Sequence, residues 1–117
     1  MPASKRLADE LVEAFDLNQR RKFVLKHPNG KSWDLYFPPI TRADRKKATA
    51  LAGSDEALDI STQMLCQKAE LEDGTKPFAA ADREKLQRGL PETVLNELEL
   101  FLFGLGDEES TEEAKND

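Results

Sequence analysis

The sequence predicts an α+β fold: one antiparallel β-hairpin packed against about four helices, in a small single domain with a disordered acidic C-terminal tail. Residues 23–37 hold two apolar segments on either side of an Asn-Gly pair, which is typical of a hairpin. Residues 41–104 then place apolar side chains at helical spacing, interrupted by turn residues. The chain therefore divides into an N-terminal helical arm (1–21), a core (22–105) and the tail (106–117).

The predicted core is built on the second strand of the hairpin. Trp33 and Leu35 alternate with polar residues, and two prolines then end the strand because they cannot donate ladder hydrogen bonds. A hairpin alone is marginally stable in water, so helices must cover one of its faces. We expect Trp33, Leu35, Leu98 and Phe101 to share this core, and Trp33→Ala to lower the free energy of unfolding by ~3–5 kcal/mol.

Helix boundaries are marked by capping residues. Thr41 and Asp44 have the spacing of a capping box, and Gly53 is suited to the left-handed conformation that ends a helix. Ser54 is expected to cap the next helix. The last helix is expected over residues 91–104, with a proline at its start and a glycine at its end.

The N-terminal arm is predicted to be an amphipathic helix. Ser4 can cap it, and Leu7, Leu11, Val12 and Phe15 fall on one face. A single apolar stripe on a short helix implies that it packs either on the rest of the domain or on a neighbouring subunit. The sequence does not choose between the two.

The helices over residues 54–71 and 91–104 carry apolar residues on more than one face. One face can fill the core while the other remains available to a partner, and the alternative is that all of these residues are core. We predict that a partner or sister subunit binds the surplus, which consists of Ile60, Met64, Leu95, Leu102 and Phe103.

Charge is unevenly distributed along a chain whose formal net charge is −6. The net charge is +5 over residues 1–53, −6 over 54–105 and −5 over 106–117. Opposite ends of this kind favour a salt-sensitive homo-oligomer, whereas the alternative is ordinary solvated surface.

No pattern in the sequence predicts an enzyme or a cofactor. It contains no nucleotide-binding glycine loop, no Cys or His metal spacing and no plausible nucleophile–base pair. The only histidine, His27, belongs to a turn, and the only cysteine, Cys66, reads as a small core or surface residue. The basic run at residues 20–22 lacks interleaved aromatics, so we predict no nucleic-acid partner. No apolar run approaches the roughly 20 residues of a membrane span.

The order of these parts resembles the tail assembly chaperones of long-tailed bacteriophages. Those proteins commonly have a strand pair, a Thr-Xaa-Xaa-Asp/Glu helix start, a Leu-Ala-Gly-like stop, a longer helix, an Asp-Gly turn, a Pro-Glu restart and a leucine-rich helix that ends in glycine. The matching segments here are Phe23–Phe37, Pro39–Arg45, Leu51–Gly53, Ser54–Leu71, Asp73–Gly74, Leu90–Glu92 and Val94–Gly104.

The resemblance implies a chaperone that binds the tape measure protein in the host cytoplasm and covers its apolar helical stripes. It would leave as tail tube subunits polymerise, so it would be absent from the mature virion. The alternative is a structural adaptor or tail-completion subunit that stays in the assembly.

The resemblance also implies a second, longer product of the gene. The family often makes one by a programmed frameshift near the end of the short product, and its extra domain recruits the tail tube protein. Ala114, Lys115 and Asn116 can be encoded GCA-AAA-AAC, on which paired tRNAs can slip by one base. The acidic tail would then be a soluble linker to that domain, and the alternative is an ordinary polar tail.

Overall fold

The computed structural model describes residues 6–105. The predicted helix cap at Ser4 and the predicted disordered, frameshift-bearing tail at 106–117 lie outside that part. Five α-helices and one hairpin occur within it, which confirms the predicted α+β class. In chain order they are α1 (Leu7–Ala14), β1 (Arg21–Lys26), β2 (Ser32–Phe37), α2 (Arg42–Ala52), α3 (Ala57–Lys68), a 3-10 turn (Ala80–Asp82), α4 (Arg83–Gly89) and α5 (Glu92–Leu102).

The two strands pair in the predicted antiparallel hairpin. Phe23 lies opposite Leu35, and Leu25 lies opposite Trp33. Gly30 closes the turn with φ 98°, a conformation that side chains with a Cβ rarely adopt. Alternation along the strands directs one apolar face of the hairpin toward the helices.

The main core lies where α5 crosses the end of the hairpin that is farther from its turn. The Phe101 ring is centred 4.9 Å from the ring of Phe23 and 5.7 Å from that of Phe37. Leu35, Leu98 and Phe101 are all buried, as the sequence predicts. These contacts fix α5 against one end of the hairpin.

The predicted placement of Trp33 in the core is wrong, because its side chain remains 46% exposed. It shares a face with Leu35 and Phe37 but lies closer to the turn, beyond the end of the strand that Phe101 covers. Among the described residues, the ring paired with that of Trp33 is that of His27, edge-on at 6.5 Å between ring centres. Alternation therefore predicted the correct face of Trp33 but not its depth.

The boundaries of α2 follow the predicted capping chemistry. The Thr41 hydroxyl accepts a hydrogen bond from the Asp44 N–H (3.1 Å), and the Asp44 carboxylate accepts one from the Thr41 N–H (2.9 Å). Gly53 ends the helix with φ 63°. The Ser54 prediction is wrong: its hydroxyl accepts from the Glu56 N–H and closes a turn before α3, which begins only at Ala57.

Two arginines of the basic run hold the end of the arm and the end of α5. Arg21 donates to the carbonyls of Phe101 (2.6 Å) and Leu102 (3.1 Å), which are among those that a helix leaves unpaired at its C-terminus. Arg20 donates to the Glu70 carboxylate at 3.0 Å. Arg20 and Arg21, the last two residues of the arm, therefore bind the arm to the core.

Candidate protein-binding surfaces

Most of the apolar surplus that the sequence assigns to a partner lies inside the core. Met64 is 0% exposed, Leu102 is 2% exposed and Leu95 is 9% exposed. Ile60 and Phe103 are partly buried against the same cluster. The prediction that these five residues form an exposed patch is therefore wrong for three of them.

The physical reason is that α3 is the central helix. It packs against α2 on one side and against α4 and α5 on the other, so apolar residues on several of its faces are covered. Phe103, which follows α5, also has a neighbour within the chain, since the Arg45 guanidinium lies 5.6 Å from the centre of its ring. A broad apolar stripe on α3 indicates several neighbours within the same chain rather than a surface for a partner.

A groove does open beside one of the predicted residues, between α3, the end of α4 and α5. It has a volume of about 430 Å³. Leu95 and the partly buried Leu90 form its apolar wall, and Leu58 on the first turn of α3 stands 62% exposed at its rim. An exposed leucine beside a recessed apolar wall is suited to receive apolar side chains from another molecule.

The charged residues that line this groove are all acidic: Glu56, Asp59, Glu92 and Glu99. Asp59 has a cation nearby, since the Arg83 guanidinium lies 3.2 Å from its carboxylate. A hydrogen bond from Gln87 and this arginine help to hold the pKa of Asp59 below its ordinary value. The groove therefore combines apolar side chains with negative charge.

Glu99 is the buried member of this set, at 7% exposed. One of its carboxylate oxygens, Oε2, accepts a hydrogen bond from the Thr62 hydroxyl at 2.6 Å. Burial raises the pKa of Glu99, and the Thr62 hydrogen bond offsets only part of that rise. Within residues 6–105 this carboxylate forms no ion pair, so a cation that entered the groove would find a desolvated acid without a counter-charge.

The spacing of residues in the sequence is enough to identify Glu99 as a charged residue on the core-facing side of α5. It lies four residues after Leu95 and three before Leu102, so it interrupts the apolar face of α5. A charged residue on a core-facing stripe is uncommon unless it is paired or functional.

A second apolar surface belongs to the arm. Every residue of α1 is exposed, including Leu11 at 51%, and Phe15 just beyond the helix is 70% exposed. Of the two alternatives that the sequence leaves open for this stripe, packing on the rest of the domain does not occur within the described residues.

Two side chains that can be chemically reactive, Cys66 and His27, do not line the groove. Cys66 is buried, and burial raises the pKa of its thiol to about 11, so the nucleophilic thiolate is scarce at neutral pH. His27 accepts a hydrogen bond from the Asn29 N–H through Nδ1 and so belongs to the hairpin turn.

Across residues 6–105, no cluster of three or more His, Cys, Asp or Glu side chains could hold a metal ion. None of the helices in that range is long and apolar enough to cross a membrane. No protein-family model, curated protein or solved structure matches this chain.

Proposed function

We propose that this chain is a tail assembly chaperone of a long-tailed bacteriophage. It binds the tape measure protein in the host cytoplasm, keeps it soluble until tail tube subunits polymerise, and is absent from the mature virion. The order of elements supports the proposal: a hairpin, a capping-box helix that ends at Gly53, a central helix, and a leucine-rich helix that follows Pro91. These are the parts that carry the resemblance.

The observation that carries the proposal is the groove between α3 and α5. Leu58, Leu90 and Leu95 provide an apolar bed, and Glu99 lies among the acidic residues that line it. This lining suits an amphipathic helix whose apolar stripe is bordered by lysine or arginine. Helix-in-groove binding of this kind would cover one stretch of a long helical client.

The chemistry of the groove also suits a complex that must later come apart. Its volume of about 430 Å³ receives a few side chains rather than a whole helix. A client cation that approached Glu99 would relieve the cost of keeping this carboxylate charged in its buried position. Binding distributed over several such short contacts can be strong in total and still be released stepwise.

Co-expression with the tape measure protein of the same phage tests this site. Leu58→Glu places a charge at the rim of the groove, near a helix N-terminus where glutamate is tolerated, so the fold should persist. We expect this variant to lose co-purification and leave the client insoluble. Leu100→Glu is the matched control, because Leu100 is 45% exposed on α5 and does not line the groove.

Two outcomes would contradict the proposal. One is equal co-purification of the Leu58→Glu and Leu100→Glu variants with the client, which would place the contact elsewhere. The other is detection of the chain in mature particles by mass spectrometry, which would favour the structural adaptor.

We propose further that the tail tube protein is recruited through a longer product made by frameshifting at Ala114–Asn116. The gene tests this part separately. A codon other than AAA at Lys115, or no open shifted frame after it, would remove the longer product and leave the short chaperone in place.

A further inference from the structure

The arm exposes an apolar face that no part of residues 6–105 covers. Leu7, Leu11, Val12 and Phe15 are each at least half exposed. Within α1, Asp9 and Glu10 border this stripe on its two sides, by the 3.6-residue repeat of a helix. The last turn of α1 holds no basic residue. The apolar stripe of α1 is therefore bordered by Asp9 and Glu10, and the basic residue Arg6 lies at the N-cap of the helix.

The outward face of α2 has the opposite character. Ala48 and Ala52 face the core, and the exposed side of the helix carries Arg42, Lys46 and Lys47. These three cations form no ion pair with any residue in the described range 6–105. Leu51, at the end of the helix, is half exposed. This face is cationic with an apolar edge, and it is separate from the groove of α3 and α5.

We propose that α1 packs on the outward face of α2 in a second copy of this chain, and that the second copy returns the contact. The apolar stripe of α1 would cover Leu51 and the stems of Lys46 and Lys47, while Asp9 and Glu10 would approach the ammonium groups. The lengths agree: α1 has 8 residues and α2 has 11, or about 12 and 16 Å.

A reciprocal exchange explains why the arm lies uncovered in one chain. Arg20 is bonded to Glu70, and no residue of α1 is buried, so α1 can contact another molecule without opening the core. From Ala14 to Arg20 an extended segment spans up to about 20 Å, enough to reach a neighbouring copy. Twofold symmetry would form the contact twice, which doubles the buried area and closes the assembly as a dimer.

Analytical ultracentrifugation of the full chain over a concentration series tests the dimer. We expect a mass that rises from 13.2 kDa toward twice that value, and a dimer that weakens as salt increases because the contact includes unlike charges. A monomer at every concentration overturns the proposal. Open-ended larger assemblies overturn the reciprocal exchange.

Charge reversal identifies the two faces. We expect Lys46→Glu with Lys47→Glu to weaken the dimer at least tenfold, and Asp9→Lys with Glu10→Lys to do the same. The variant that carries all four substitutions should regain dimerisation, which a merely unfolded arm could not do. Lys26→Glu with Lys31→Glu, on the exposed end of the hairpin, is the matched control and should leave the dimer unchanged.

Failure of four-way rescue, or equal loss in the control, would contradict this contact. The groove is not involved, so client binding by the Lys46→Glu, Lys47→Glu variant reports separately on the proposed function. Loss of the dimer with retained client binding supports the contact between α1 and α2 and leaves the proposed function standing.

Discussion

The first and last helices of this chain share a pattern but not an environment. Both α1 and α5 place leucines at helical spacing beside acidic residues. In α5, Leu98 and Phe101 are buried, whereas in α1 no residue is buried. The difference shows that amphipathicity predicts a helix and its apolar face, but not which molecule covers that face.

What distinguishes α5 is its set of neighbours. It packs against α3 and α4, its Phe101 ring contacts the hairpin, and Arg21 binds the carbonyls at its C-terminus. By contrast, no residue of α1 is buried against the rest of residues 6–105. An isolated helix of 8 residues is marginal in water, so α1 depends on whatever covers it.

The largest effect should come from removing a covered leucine of α5. Leu98→Ala leaves a cavity in the core, and we expect it to lower the free energy of unfolding by ~2–5 kcal/mol in urea denaturation. Leu100→Ala on the exposed side of the same helix should cost under about 1 kcal/mol. Similar losses for both variants would mean that α5 is not covered as described.

The anchor at the end of α5 should come next. Arg21→Ala leaves the Phe101 and Leu102 carbonyls without this donor and removes a guanidinium that lies 4.4 Å from the centre of the Phe101 ring. We expect a loss of roughly 1–3 kcal/mol by the same measurement. Lys22→Ala is the neighbouring control, since the Lys22 ammonium forms an exposed 3.7 Å ion pair with Asp34, which contributes little to stability. If the two variants were equally stable, Arg21 would not anchor the helix.

Glu99 should give a smaller effect of opposite sign. Burial raises the pKa of Glu99 in the folded state, so the carboxyl favours folding when protonated and its contribution is lost as pH rises through that raised pKa. Glu99→Gln should therefore stabilise the chain at neutral pH by on the order of 1 kcal/mol, and the gain should disappear in acid.

Denaturation from acid to neutral pH measures this gain, with Glu97→Gln on the exposed side of α5 as its control. A destabilised Glu99→Gln variant at neutral pH would show that the carboxylate is already compensated. It would also remove the reason for a client cation to approach it.

The smallest effect should come from the arm. Leu11→Ala removes an apolar side chain that the chain does not cover, so we expect the free energy of unfolding of the dilute protein to change by less than about 0.5 kcal/mol. A loss as large as that of Leu98→Ala would place the arm within the core.

Local chemistry explains how much of this structure the sequence predicts. The Thr41–Asp44 capping box, the helix end at Gly53 and the antiparallel hairpin depend on residues near one another in sequence, and all three are as predicted. The exposure of Trp33 and the burial of Met64 depend on which helix covers which end of the hairpin. That is a long-range property that periodicity does not contain.

The candidate site was less predictable than the fold. Leu95 is predicted to bind a partner, and it does line the groove. It is only 9% exposed, however, so it forms part of the recessed wall and does not project as an exposed side chain. The sequence shows Arg20 and Arg21 only as part of a short basic run, whereas their partners Glu70 and Phe101 lie far along the chain. Long-range side-chain contacts of this kind become visible only once the elements are assembled.

Amide hydrogen exchange of α1 and α5 over a concentration series tests the central claim most directly. The claim is that the core is complete without α1 and that a second copy covers α1. We predict that in dilute protein the α5 amides are protected and the α1 amides exchange almost freely, and that α1 gains protection as the dimer forms. Protection of α1 equal to that of α5 in the monomer, or no gain with concentration, would contradict it.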